Sequence, residues 1–177
     1  MKALAQKLKK VLEKHKEAVD FVLFGSTVKG KINASDLDIA IISKGTIERR
    51  IVKEEMEKTL GKKVDLQVVT ISDYDQFIWI TLLREGYSVK HQHYLYEKLG
   101  IKPVLLYKYS LKPLGASKKV MFERAIKNFK NVERLSNRVV LVPIKISGEF
   151  SDFLKSWDID LEAQEYGLLP LVRKEEF

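Results

Sequence analysis

The chain opens on a helical spacing of apolar residues. Leu4, Leu8, Val11 and Leu12 recur every three or four positions with lysines between them, which predicts an amphipathic helix over 3–16. The run from Val19 to Phe24 reads as a buried strand, closed by Gly25-Ser26. A second strand is expected from Asp36 to Ile42 and a third from Val64 to Val69. Between them Val52, Met56 and Leu60 stand four apart and Gly61 supplies a stop, so residues 46–60 form a helix. Ser72, with Asp75 three residues on, reads as the cap of a further helix that Gly86 ends. A short helix near 91–99 is expected to stop at Gly100.

The pattern changes at Ile101-Lys102-Pro103, which sets expected domains at 1–100 and 101–177. Beyond it, Val104 to Leu111 is strand-like. Residues 117–130 are helical, with Phe122, Ala125, Ile126 and Phe129 on one stripe. Arg138 to Ile144 is a strand in which Pro143 marks an edge or an end. Residues 148–157 read as a helix, and the remainder carries no clear pattern.

Composition narrows the class. A chain of 177 residues with 45% hydrophobic positions can build a real core. The absence of cysteine excludes disulfides, a thiol nucleophile and thiolate metal sites. No apolar run is long enough for a membrane span, and the first residues lead into charge, so a soluble cytoplasmic protein without a membrane partner is expected. The formal charge of +8 is unevenly spread. Residues 101–138 hold ten basic side chains against only Glu123 and Glu133, a block suited to a polyanion such as nucleic acid.

The candidate chemistry lies between the first two strands. Gly25 lets the backbone approach a ligand closely and Ser26 adds a hydroxyl donor. If a helical turn starts there, its N–H groups suit phosphate. Asp36 and Asp38 are two apart on a strand, so both carboxylates leave the same face while Leu37 and Ile39 enter the core. Two such close acids are tolerated when a divalent cation sits between them, and Mg²⁺ prefers one or two carboxylates plus substrate phosphate oxygens. Asp65 is a third acid on the next strand and completes a set suited to in-line displacement at phosphorus, as metal ligand or as general base.

Gly25-Ser26, nine residues, then Asp36-Leu37-Asp38 resembles the polymerase-beta-like nucleotidyltransferase superfamily, and in particular its minimal nucleotidyltransferase group. Lys29-Gly30 falls in that family's basic-glycine slot, Ser35 precedes the first aspartate as it often does there, and Asp65 matches the third carboxylate. The resemblance covers about residues 1–100. It implies an α+β (or α/β) fold with a small mixed sheet flanked by helices, here followed by a smaller C-terminal α/β domain. It further implies Mg²⁺ held by Asp36, Asp38 and Asp65, and an NTP, expected to be ATP, seated by Gly25, Ser26 and Lys29. The implied activity is transfer of a nucleoside monophosphate to a hydroxyl of a protein, a nucleic acid or a small molecule. Two other readings keep the fold without requiring catalysis: a module that binds nucleic acid through the basic segment, or an antitoxin that docks on a HEPN-type toxin. A homodimer is also open.

Other residues take structural readings. Tyr74, Phe77, Ile78, Trp79, Ile80, Leu82 and Leu83 suggest a helix buried between domains or at a dimer interface. His91 and His93 lack a third metal partner and are read as surface or interface residues, and His15 as solvent-facing.

Overall fold

The computed structural model describes residues 1–31, 35–73 and 75–168. The chain forms two compact units, Met1–Leu99 and Gly100–Phe177. No helix among the described residues is long and apolar enough to cross a membrane. The class is mixed α and β, with one sheet in each unit and helices against it.

The first unit runs α1 (Lys2–Leu12), β1 (Ala18–Phe24), β2 (Asp36–Ser43), α2 (Arg49–Leu60), β3 (Lys63–Thr70), α3 (Phe77–Glu85), β4 (Tyr87–Ser88) and α4 (Leu95–Lys98). Its sheet has the order β3-β2-β1-β4. β1 is antiparallel to β2 and to β4, whereas β2 and β3 are parallel. A parallel pair needs a crossover, and α2 is that crossover. Alternation along each strand then separates the two faces. Phe21, Leu23, Leu37, Ile39, Ile41, Val64 and Leu66 pack with Leu8 and Val11 of α1 and Val52 and Met56 of α2. Val22, Phe24, Ala40 and Val69 face the other way, with Leu82 of α3. Asp36 and Asp38 share the parity of Ala40, and Asp65 shares that of Val69, so the three acids belong to this second face.

Gly61 ends α2 in the left-handed conformation, φ +66°, with its N–H on the Glu57 carbonyl at 2.8 Å. A Cβ added there would meet nothing within 4 Å. Gly61→Ala therefore tests backbone strain alone. Chemical denaturation should show a loss of about 1 kcal/mol, with no change in activity.

The helix expected from Ser72 starts later, at Phe77. The polar residues after β3 are engaged in a 3₁₀ turn over Ile71–Asp73 instead, where the Asp73 carboxylate accepts the Thr70 N–H at 2.9 Å and the Thr70 hydroxyl at 2.8 Å. Those two donors hold the Asp73 carboxyl below its ordinary value. A depressed carboxyl stabilises the fold above its unfolded pKa, and that contribution is lost as pH falls through the folded value. Melting curves of Asp73→Asn and the parent chain should differ at neutral pH and converge in strong acid. A difference that persists unchanged in acid would refute the assignment.

α3 is not buried all round. Leu82 is buried, but Phe77 is 71% and Ile80 58% exposed, because only one stripe of the helix meets the sheet. Tyr74, grouped with this helix in the sequence, lies outside the described residues, as do residues 32–34 ahead of β2. His15 also departs from expectation. Its ring is 21% exposed with Nε2 3.3 Å from Glu55 Oε2 on α2, since α1 and α2 share a core.

The second unit runs β5 (Lys102–Ser110), α5 (Ala116–Ile126), β6 (Glu133–Ser136), β7 (Val139–Pro143), α6 (Ser147–Ser156) and β8 (Asp160–Leu168). Its sheet is wholly antiparallel, in the order β6-β7-β5-β8. Pro143 closes β7, an inner strand, so it marks an end and not an edge. Leu105, Tyr107 and Tyr109 leave β5 on one buried face. There Tyr107 meets Phe150 of α6 and Tyr109 meets Phe122 of α5, edge to face. Phe122 also stacks on Phe153 and takes the edge of Trp157, so an aromatic cluster is this unit's core.

Candidate active site

The site is assembled by strand register. Asp38 pairs directly with Asp65 across the parallel β2–β3 ladder, and Asp36 precedes Asp38 by one pleat on the same face. Phe24, the last residue of β1, pairs with Asp38 from the other side. The Gly25 turn therefore leaves β1 beside the carboxylates. Its φ is +73°, and a Cβ at Gly25 would overlap the Asp38 carboxyl group. Glycine is required there twice over, once for the backbone and once for the space.

The turn itself is one loose helical coil. Lys29 N–H reaches the Gly25 carbonyl at 3.2 Å and Lys31 N–H the Ser26 carbonyl at 3.1 Å. Two of its leading donors face carboxylates. Ser26 N–H donates to Asp38, and Gly25 N–H donates to Glu85 Oε1 at 2.9 Å. The Thr27 hydroxyl oxygen is buried without a hydrogen-bond partner among the described residues. An orphaned buried hydroxyl in such a turn is a place for an incoming polar group.

Burial first, and then the charges of Asp36 and Asp65, push the Asp38 carboxyl above its ordinary range. The Ser26 N–H pulls the other way and Glu85 adds to the rise. Asp36 is exposed and accepts the Ser35 hydroxyl at 2.8 Å, which orients it. Asp65 is also exposed.

Glu85 was not visible as a site residue in the sequence. It ends α3, is 2% exposed, and binds the Gly25 N–H on one oxygen. Its other oxygen lies 3.0 Å from Lys29 Nζ and 3.6 Å from Arg84. Its only sequence signal was an acid beside Gly86, which looks like an ordinary helix end. Lys29, expected to reach phosphate, is held by this carboxylate in the structure. Asp20, on the same face at the far end of β1, does a different job. It is buried and accepts the Ser88 hydroxyl and the Lys90 N–H, so it fastens the segment after β4. Of the two histidines read as surface or interface residues, His91 is exposed, and both ring nitrogens of His93 are buried and lack hydrogen-bond partners among the described residues.

The donor set suits a hard divalent cation, being oxygen only, and the mutual repulsion of the carboxylates around Asp38 is what such a cation relieves. Among the described residues no group of three or more His, Cys, Asp or Glu stands ready to hold a metal by itself. Mg²⁺ asks for less than that when substrate phosphates supply the remaining ligands.

Residues 6–92 match the family model described as Polymerase beta, Nucleotidyltransferase. The N-terminal unit is therefore a nucleotidyltransferase domain of the polymerase beta family. No curated protein matches the chain. Among solved structures, one similar chain belongs to the complex of tri-AMPylated Shewanella oneidensis HEPN toxin with MNT antitoxin. It is 16% identical over 71% of this chain and 99% of that one, with a TM-score of 0.39. Another comes from a toxin–antitoxin with AMP-PNP, at 16% identity, 69% and 98% coverage, and a TM-score of 0.41.

Proposed function

We propose that the N-terminal unit transfers a nucleoside monophosphate from an NTP, with ATP as the expected donor, to an acceptor hydroxyl. The observation that carries this reading is the pairing of Asp38 with Asp65, with Asp36 one pleat away and the Gly25 turn alongside. Asp36, Asp38 and Asp65 would hold Mg²⁺. When bound, that ion neutralises the polyphosphate and the departing pyrophosphate. The chain's own contribution is to seat the polyphosphate at the Gly25-Ser26 turn, with Lys29 exchanging its Glu85 partner for phosphate oxygens. Asp65, exposed on β3, would complete that metal site or take the acceptor's proton. The acceptor oxygen bonds to the α-phosphorus, the α–β bridge breaks, and pyrophosphate leaves.

The test is incubation of the full chain with α-labelled ATP and Mg²⁺. A single-stranded RNA with a free 3′ hydroxyl, an unfractionated protein extract and the chain itself are offered as acceptors. Label on any of them together with pyrophosphate release supports the reading, and the labelled acceptor identifies the class. Absence of label on all three, with no calorimetric signal for a non-hydrolysable ATP analogue plus Mg²⁺, would end it.

A further inference from the structure

Outside the carboxylate site, unmatched positive charge gathers on the C-terminal unit. A cavity of about 420 Å³ there is bordered by Lys119, Glu123 and Arg124 of α5, by Lys127 just past it, and by Arg134 and Arg138 from the β6–β7 hairpin. Five cations thus surround one carboxylate. Glu123 is already shared, with Arg134 at 2.8 Å and Arg138 at 3.6 Å. Those contacts fix the arginines without neutralising the group. Arg134 is further held through its Nε on the Ser136 carbonyl at 3.2 Å and its Nη2 on the Asn137 carbonyl at 3.3 Å. Concentrating like charge costs stability unless an anion answers it, and guanidinium forks held in place match phosphate oxygens in geometry as well as charge.

The size of the cavity bears on which anion it would take. It falls in the range of small-molecule sites and exceeds what a bare ion requires. Leu111 and Val120 add an apolar wall to it, suited to the flat face of a base.

The geometry points to a nucleotide phosphate site in this cavity, separate from the carboxylates of the N-terminal unit. The shared chemistry is a phosphate with an attached nucleoside, supplied either by a free mononucleotide or by one residue of a single strand.

Fluorescence anisotropy of the full chain with a short labelled single-stranded RNA tests it, with unlabelled AMP and inorganic phosphate as competitors. Binding should weaken with salt, and Arg124→Ala combined with Lys127→Ala should cost about tenfold or more in affinity. The salt slope should fall by about 2. Neither residue pairs with Glu123, so the melting temperature should hold. Lys112→Ala with Lys130→Ala removes the same charge outside the cavity and should cost far less. Competition by AMP assigns the site to a free nucleotide, whereas binding of RNA that AMP does not displace assigns it to a strand. Asp38→Asn should leave this binding intact, which keeps the outcome separate from that of the transfer assay. Equal losses from the two double variants, or no binding of any of the three probes, would overturn the proposal.

Discussion

Asp38→Asn is expected to cut nucleotide transfer by about 10²–10³-fold, the scale seen when one preorganised electrostatic group of an active site is removed. The same substitution should raise the thermal midpoint in the absence of metal. The two effects share a cause. Asp38 is half-buried, faces Asp36, Asp65 and Glu85, and its carboxyl is pushed upward first by burial and then by those charges. The folded chain therefore holds the Asp38 proton more tightly than the unfolded chain does. The stability linked to this group is fully present below the unfolded value and is lost as pH rises through the elevated folded one. Asparagine removes the repulsion and can still accept the Ser26 N–H, so the variant should be the more stable at neutral pH and the advantage should vanish in acid. Scanning fluorimetry with and without Mg²⁺ checks this. The parent should gain on adding the ion and the variant should gain much less. A variant that melts lower than the parent at neutral pH without metal would contradict the electrostatic account.

Gly25→Ala should be nearly as damaging to activity, about 10²-fold, since a misplacement of about 1 Å near the reacting atoms is enough for that. The added methyl would overlap the Asp38 carboxyl, and that side chain must leave its present place opposite Asp65 to make room. The left-handed backbone adds a stability cost of about 1–2 kcal/mol. Gly61→Ala is the matched control, because Gly61 has nearly the same φ and open space where the methyl would go. Similar stability losses with activity lost only at Gly25 would place the effect at the Asp38 contact. Activity lost equally in both variants would reduce it to general instability.

The sequence made some elements readable and hid others for identifiable reasons. β1, β2 and β3 are buried by strict alternation or continuous apolar runs, and such patterns survive without knowledge of neighbours. α2 carried its own stop at Gly61. β6 and β8 left no such trace, because β6 is exposed throughout and residues 161–168 of β8 are exposed as well. Strand pairing places them, helped by the Arg134–Glu123 and Lys108–Glu162 ion pairs, and backbone pairing carries no side-chain signature. α3 was misread at its start. That start was assigned to Ser72, when the turn chemistry belonged to Asp73 and Thr70; of its apolar residues, Phe77, Ile80 and Leu83 are exposed.

For the site, spacing alone put Asp36 and Asp38 on one face, since the period of a strand leaves no choice. The local sequence also marked Gly25 as a turn beside them. The parallel register that sets Asp65 opposite Asp38 was a matter for the tertiary structure, as was the arrival of Glu85 from sixty residues away to bind the Gly25 N–H. The cationic cavity of the second unit follows the same division. Composition announced the charge, but only the folding of a hairpin against α5 brought Arg134 and Arg138 to Glu123. Periodicity is a property of the chain and can be read along it. Convergence depends on which strands pair and where a helix ends, and those are decided by burial and hydrogen bonding among segments far apart in sequence.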